Sequence, residues 1–232
     1  MGELILVPTP LQDDTPLEPV ALERLKESCL EETTLLLVEE HKIARRRWLS
    51  WGLPREAIEK FILVNEHTQE KIKSDLIKEI RKGKKAFLMS DTGLPAFCDP
   101  GQTLVELAHR SGIKVSSTPF PNSIALAVAL SGFPHGQFSF SGFIPVKEPD
   151  RREWMKSQLK KSEMLIWMET PYRLQKLMEE LVEMNLSREI FLGLDLGGPD
   201  ETNFRGSAGE FLKRFPGPGK REFVLLIGPS KT

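Results

Sequence analysis

The chain has 232 residues, 40% hydrophobic and 28% charged, enough apolar material for one large core or two modest ones in an ordinary soluble globular protein. A net charge of −1 and a pI near 6.5 exclude a globally basic nucleic-acid binder, so any basic surface must be local. Two cysteines, Cys29 and Cys98, make neither a disulfide framework nor a metal set and fit a reducing compartment. The apolar run Leu4–Val7 is too short for a signal peptide, and Ile124–Leu130 is far below a membrane span. A cytoplasmic protein with no metal and no membrane contact is the expectation.

In chain order, Leu4–Val7 reads as a buried strand ending at Pro8-Thr9-Pro10. Leu17–Leu30 carries a helical stripe, and Thr33–Val38 is a strand of continuous Leu and Val. A charged run follows, with Lys42, Arg45, Arg46 and Arg47 ahead of Trp48 and Trp51. Phe61–Val64 is a strand, and Thr68–Arg81 a helix with Ile72, Leu76, Ile77 and Ile80 on one face. Ala86–Met89 and Lys114–Ser117 complete a set of strands alternating with helices, the pattern of a mainly parallel sheet.

Two prolines mark Ser117–Asn122 as the linker, which predicts domains over 1–117 and 118–232. Beyond it come a small-residue helix over Ile124–Leu130, a half-exposed strand over Phe138–Phe143, a charged helix over Arg151–Lys161 and a strand over Met164–Met168. Pro171–Met184 reads as a helix opened by proline, and Glu189–Asp195 and Glu222–Gly228 as the last two strands. Between those strands, Gly197–Asn203 and Pro216–Lys220 read as loops.

The densest stretch joins the Ala86–Met89 strand to a helix beginning near Thr103, through Asp91, Gly93, Pro95, Asp99, Pro100 and Gly101. Asp99 sits where an N-cap belongs, Pro100 at the first helical position, and Gly112 where the helix should stop. At about a dozen residues the loop exceeds the usual two to six, and ligands of α/β proteins sit beyond the carboxyl ends of the strands. A capped connection without a ligand remains the plainer alternative.

Neither the dinucleotide nor the phosphate-loop glycine signature is present, and no Gly-x-Ser-x-Gly elbow or metal spacing occurs. What remains is a set of small-residue loops at strand ends. Val7-Pro-Thr-Pro10, Ser90-Asp-x-Gly-x-Pro95 with Asp99-Pro-Gly101, Pro119-x-Pro-x-Ser123, Ser131-Gly132-Phe133 with Phe143-x-Pro145, and Glu169-Thr-Pro-Tyr-Arg173 occur in that order. The set resembles the tetrapyrrole-methylase-like superfamily of S-adenosylmethionine-dependent methyltransferases. Within it, the set is most similar to the small-subunit ribosomal RNA cytidine 2′-O-ribose methyltransferases. The chain departs from that branch at Gln12 and Asp13, at Glu39–Lys42, at Phe120 and at Lys220-Arg221-Glu222.

The resemblance implies a two-domain α/β fold, with a parallel-sheet amino-terminal domain, a mixed-sheet carboxyl-terminal domain and a cofactor cleft between them. It implies S-adenosyl-L-methionine as cofactor, bound by Pro8, Pro10, Leu11, Ser90, Asp91, Thr92, Gly93, Leu94, Pro95, Asn122, Ser123, Met168, Glu169, Leu194 and Asp195. Gly/Pro turns suit such a ligand because they expose backbone donors and acceptors that long side chains would obstruct. Asp91 has the alternative reading of a turn aspartate bonding its own backbone, and Glu169 that of a carboxylate favourable to a helix dipole. His67 reads as loop surface.

The implied acceptor is a ribose 2′-hydroxyl of ribosomal RNA, free or in the small ribosomal subunit, and the implied assembly a homodimer. Lys42, Arg45, Arg46 and Arg47 would bind phosphate while Trp48 and Trp51 stack on bases, joined by Lys147, Arg151, Arg152 and Lys156. A solvated helix face and core tryptophans are the alternative. Two other functions stay open: methyl transfer to a tetrapyrrole or other small molecule, and a module that binds the cofactor without transfer. No catalytic base is assigned.

Overall fold

The computed structural model describes residues 2–13, 15–31, 33–120 and 122–230. The chain forms two compact units, Met1–Phe120 and Pro121–Thr232, so the division falls inside the proline-rich run. Pro121 of that run lies outside the described residues.

The first unit alternates β1 (Glu3–Val7), α1 (Pro19–Leu30), β2 (Leu35–Val38), α2 (His41–Ser50), β3 (Phe61–Leu63), α3 (Gln69–Arg81), β4 (Lys85–Met89), α4 (Gln102–Arg110) and β5 (Lys114–Ser117). Its five strands form one parallel sheet in the order β3-β2-β4-β1-β5. Successive side chains of a strand point to opposite faces, and the strands divide accordingly. Ile5, Val7, Leu36, Val38, Phe87 and Met89 pack with Ala21, Leu25 and Trp48 of α1 and α2. Leu4, Leu37, Ala86 and Leu88 pack with Ile77, Ile80, Leu104 and Ala108 of α3 and α4. Both faces are therefore covered, which is why these strands read as unbroken aliphatic runs.

Helix α2 takes up the charged run, matching the alternative of a solvated helix face with a core tryptophan. Glu40 caps it, its carboxylate accepting from the Lys42 and Ile43 amides, and only Arg47 and Trp48 are buried. The start of α4 differs from expectation. Gly101, at φ 116°, is the N-cap without a side-chain bond, and Asp99 and Pro100 belong to the loop. Gly112, at φ 68°, follows the helix as expected.

The second unit contains α5 (Ser123–Ser131), β6 (Phe138–Phe143), α6 (Asp150–Leu159), β7 (Met164–Met168), α7 (Leu174–Glu183), β8 (Ile190–Leu194), β9 (Thr202–Gly206), α8 (Ala208–Arg214) and β10 (Phe223–Ile227). Its sheet is mixed, in the order β6-β7-β10-β8-β9, with only β6 and β7 parallel. Leu165, Trp167, Leu192 and Leu225 face α6, α7 and α8. Ile166, Phe191, Val224 and Leu226 face Ile124 and Ala127 of α5. Each such fully buried aliphatic side chain contributes about 1.5–3 kcal/mol.

Two elements here were missed in the sequence. Strand β9 pairs antiparallel with β8 across Phe204↔Leu192, and Phe204 is its only buried side chain. Helix α8 spans seven residues, nucleated by a capping box between Ser207 and Glu210. The proline-led helix is also shorter than expected, because Pro171–Arg173 forms a separate 3-10 turn before α7.

Candidate functional site

In the first unit β1 and β4 are neighbours, with Val7 opposite Met89. The loops leaving them meet at once. Thr9 and Gly93 exchange backbone hydrogen bonds of 2.8 and 3.0 Å. The Thr9 hydroxyl donates to the Ser90 carbonyl at 3.2 Å, and the Ser90 hydroxyl donates to the Thr92 carbonyl at 3.1 Å. Gly93 holds φ 78°, a left-handed conformation that glycine adopts without strain. Pro8, Pro10, Leu11, Ser90, Asp91, Thr92, Gly93, Leu94 and Pro95 are thus gathered at the carboxyl ends of two adjacent strands.

Arg47, expected to bind phosphate, holds this assembly instead. It is 4% exposed, donating to the Pro10 carbonyl at 2.6 Å and lying 3.1 Å from the Asp13 carboxylate. Burial draws the guanidinium below its ordinary value, and Asp13 opposes that shift. Trp48, expected to stack on bases, is fully buried and donates its indole N–H to the Pro54 carbonyl. Trp51 packs against the same core. Lys42, Arg45 and Arg46 are exposed, with Arg46 paired to Asp13 at 2.8 Å. His67 is exposed on its loop.

Asp91 does not bond its own turn. Its carboxylate accepts from the Glu40 amide at 3.2 Å, while Glu39 accepts from the Asp91 amide at 3.0 Å. This reciprocal clasp joins the ends of β2 and β4. Burial, then the Glu39 charge, pushes the Asp91 carboxyl up to about 6. The same two causes push Asp99 up to about 7. Gln69 accepts from the Gly101 amide at 3.1 Å and fixes the far end of the loop. Glu39 is not recognisable from sequence as the partner of Asp91, since 52 residues separate them.

In the second unit β7 and β8 both run antiparallel to β10, so their carboxyl ends fall together, Met168 opposite Val224 and Leu194 opposite Phe223. Asn122 caps α5, accepting from the Ile124 and Ala125 amides, and Ser123 opens that helix. Glu169 is buried and held by Arg151 at 2.6 Å. Arg151 also engages both Glu180 oxygens at 3.0 Å and the Pro145 carbonyl at 3.0 Å. Burial works against its charge, but Glu180 and Glu169 raise it above the usual value. Fully buried, Arg151 is no part of a basic surface, contrary to expectation. Arg152 is exposed and paired to Glu183, while Lys147 and Lys156 stand exposed.

Asp195 turns the chain at φ 48° after β8. Its carboxylate accepts from Arg221 at 2.5 Å and from the Glu222 amide at 3.1 Å. Arg221 also donates to the Asp200 carbonyl. The departure at Arg221 therefore closes the turn in which Leu194 and Asp195 lie. A cavity of about 600 Å³ lined by Arg188, Arg205 and Phe133 lies at the opposite end of this sheet. No cluster of three His, Cys, Asp or Glu side chains placed to hold a metal occurs among the described residues. Nor is any described helix long and apolar enough to cross a membrane.

A parallel sheet and a mixed sheet, each carrying Gly/Pro-bent turns at its strand ends, define a two-unit α/β protein. Residues 15–212 match the family model of the tetrapyrrole (corrin/porphyrin) methylases, and the chain belongs to that family of methyltransferases. Among its relatives is the ribosomal RNA small subunit methyltransferase I of Thermotoga maritima, 34% identical over 93% of this chain and 92% of that protein. The enzyme of the same name from Leptospira borgpetersenii is 31% identical over 87% of this chain and 80% of that one. A crystal structure of diphthine synthase superposes with a TM-score of 0.69 at 16% identity, covering 98% and 90% of the two chains, which shows the shared fold.

Proposed function

We propose that the protein transfers a methyl group from S-adenosyl-L-methionine to a ribose 2′-hydroxyl of small-subunit ribosomal RNA. The observation that carries this reading is the 34% identity to a ribosomal RNA methyltransferase over nearly the full length of both chains. By the same reading it acts in the cytoplasm, as a homodimer, on ribosomal RNA or the small ribosomal subunit.

The chain's own residues fit such a donor. At the end of β5 the Thr118 hydroxyl is buried without a hydrogen-bond partner, while its amide donates to the Leu6 carbonyl of β1. A buried hydroxyl left unpaired costs free energy, and a polar ligand beside the Pro8–Leu11 turn would satisfy it. The donor supplies an electrophilic methyl group; the chain supplies position. Leu11, Leu94 and Pro95 offer apolar walls, and the bonded Thr9–Gly93 turn holds the backbone of Ser90–Pro95 in one conformation. In the second unit Asn122, Ser123, Met168, Glu169, Leu194 and Asp195 are the proposed donor contacts. Arg151 and Arg221 occupy the Glu169 and Asp195 carboxylates, so these two residues serve through backbone groups. An in-line displacement draws most of its rate from such positioning.

Incubation with methyl-labelled donor and small ribosomal subunits lacking the modification tests the reading. Label in the RNA is expected. Label in an added tetrapyrrole alone, or donor bound with no transfer to any acceptor, would replace it.

A further inference from the structure

We infer that Tyr172 is a stacking platform for an unpaired base of the RNA acceptor, with Lys220 beside it for the adjoining phosphate. The inference rests on the RNA reading above and goes beyond it by naming the contact.

Tyr172 is the only tyrosine of the chain. At 72% exposure it is the most exposed Phe, Trp or Tyr side chain among the described residues. Its surroundings hold it there. Pro171–Arg173 is a single 3-10 turn closed by the Arg173 amide donating to the Thr170 carbonyl. Glu169, fixed by Arg151, accepts from the Thr170 amide at 2.8 Å. Leu174, fully buried, pins the far end. The ring therefore stands in water on a base tied at both ends, and only two side-chain torsions remain to be fixed when something lies on it.

A cation accompanies it. The Lys220 ammonium sits 4.5 Å from the ring centroid, and among the described residues it has no carboxylate partner. It ends a loop whose Gly217 and Gly219 hold φ 67° and 73°. Both residues lie at the end of the second sheet where β7 and β8 finish and β10 begins, the end carrying Met168, Glu169, Leu194 and Asp195. An exposed aromatic beside a cation that no carboxylate neutralises is how single-stranded RNA is held: bases stack on the open face of the ring and the ammonium meets phosphate. It also supplies what the α2 run lost when Arg47 and Trp48 proved buried.

The test compares wild type with Tyr172→Ala, Tyr172→Phe and Lys220→Ala in methylation of undermodified small subunits, alongside calorimetric binding of the demethylated donor product. Tyr172→Ala should raise KM for subunits about 5- to 100-fold. Tyr172→Phe, which keeps the ring, should stay near wild type. Lys220→Ala should lower the salt slope of log KM by about one. Product affinity should be unchanged in all three, and ultraviolet crosslinking should join Tyr172 to a nucleotide. An unchanged KM in Tyr172→Ala, or a crosslink to a ribosomal protein in place of RNA, overturns the inference alone. A wild-type protein that methylates no RNA overturns it together with the reading on which it rests.

Discussion

The strand ends of the two units carry carboxylates in opposite electrostatic settings. In the first, Glu39, Asp91 and Asp99 crowd together, and Asp91 and Asp99 are pushed up to about 6 and about 7 by burial and by Glu39. In the second, Glu169 and Asp195 are each answered by an arginine, Arg151 at 2.6 Å and Arg221 at 2.5 Å. Glu222 is also raised, by desolvation and by the Asp195 charge, but it is exposed and water screens it. Sensitivity to protons therefore belongs to the first unit, and charge-locked rigidity to the second.

The largest way to break this contrast is Arg151→Met. It leaves Glu169 and Glu180 buried without their cation, and losing one partner of a buried pair costs about 3–5 kcal/mol. A Tm fall on the order of 10 °C in calorimetry is expected. An unchanged Tm would mean that the second unit is not locked by this pair. Arg221→Ala comes next. The Asp195 turn loses its closing partner, and affinity for the demethylated product should fall roughly tenfold, or about 1.4 kcal/mol, read by calorimetric titration.

Asp99→Asn sharpens the first side of the contrast through its pH dependence. A carboxyl whose folded pKa is raised costs nothing below the unfolded value of about 4. The penalty enters as pH rises toward the folded value, so the first unit loses stability between about pH 4 and pH 7. Removing the charge should raise Tm less at pH 5, where only part of the penalty has entered, than at pH 8, where all of it is present. After discounting for partial exposure, the gain at pH 8 is about 2–4 °C. A gain at pH 5 equal to that at pH 8 would contradict the sign. The smallest effect is expected for Lys42→Ala and Arg45→Ala, each lowering the salt slope of log KM for subunits by about one while leaving Tm unchanged.

What was legible in the sequence follows the same physics. Strands such as Met164–Met168 and Phe223–Ile227 are continuous apolar runs, and a buried sheet demands such runs. Strand β9 offered only Phe204 to the core, and α8 only Ala208 and Phe211 in seven residues, too little periodicity to detect. The strand-end loops of the site were legible from their glycines and prolines. Their supports were not. Arg47 and Arg151 look like phosphate binders because a sequence displays charge and conceals burial. Asp99 looks like a helix cap because nothing in the sequence says that Gly101 takes a left-handed φ and carries the loop two residues further.

We propose that these bent turns hold a sulfonium donor. Calorimetric titration of wild type and of Gly93→Val with S-adenosylhomocysteine tests it most directly. Wild type should bind at one site per chain, and the variant, whose side chain strains a turn at φ 78°, should lose most of the heat. No binding by wild type, or equal binding by both, would contradict the account.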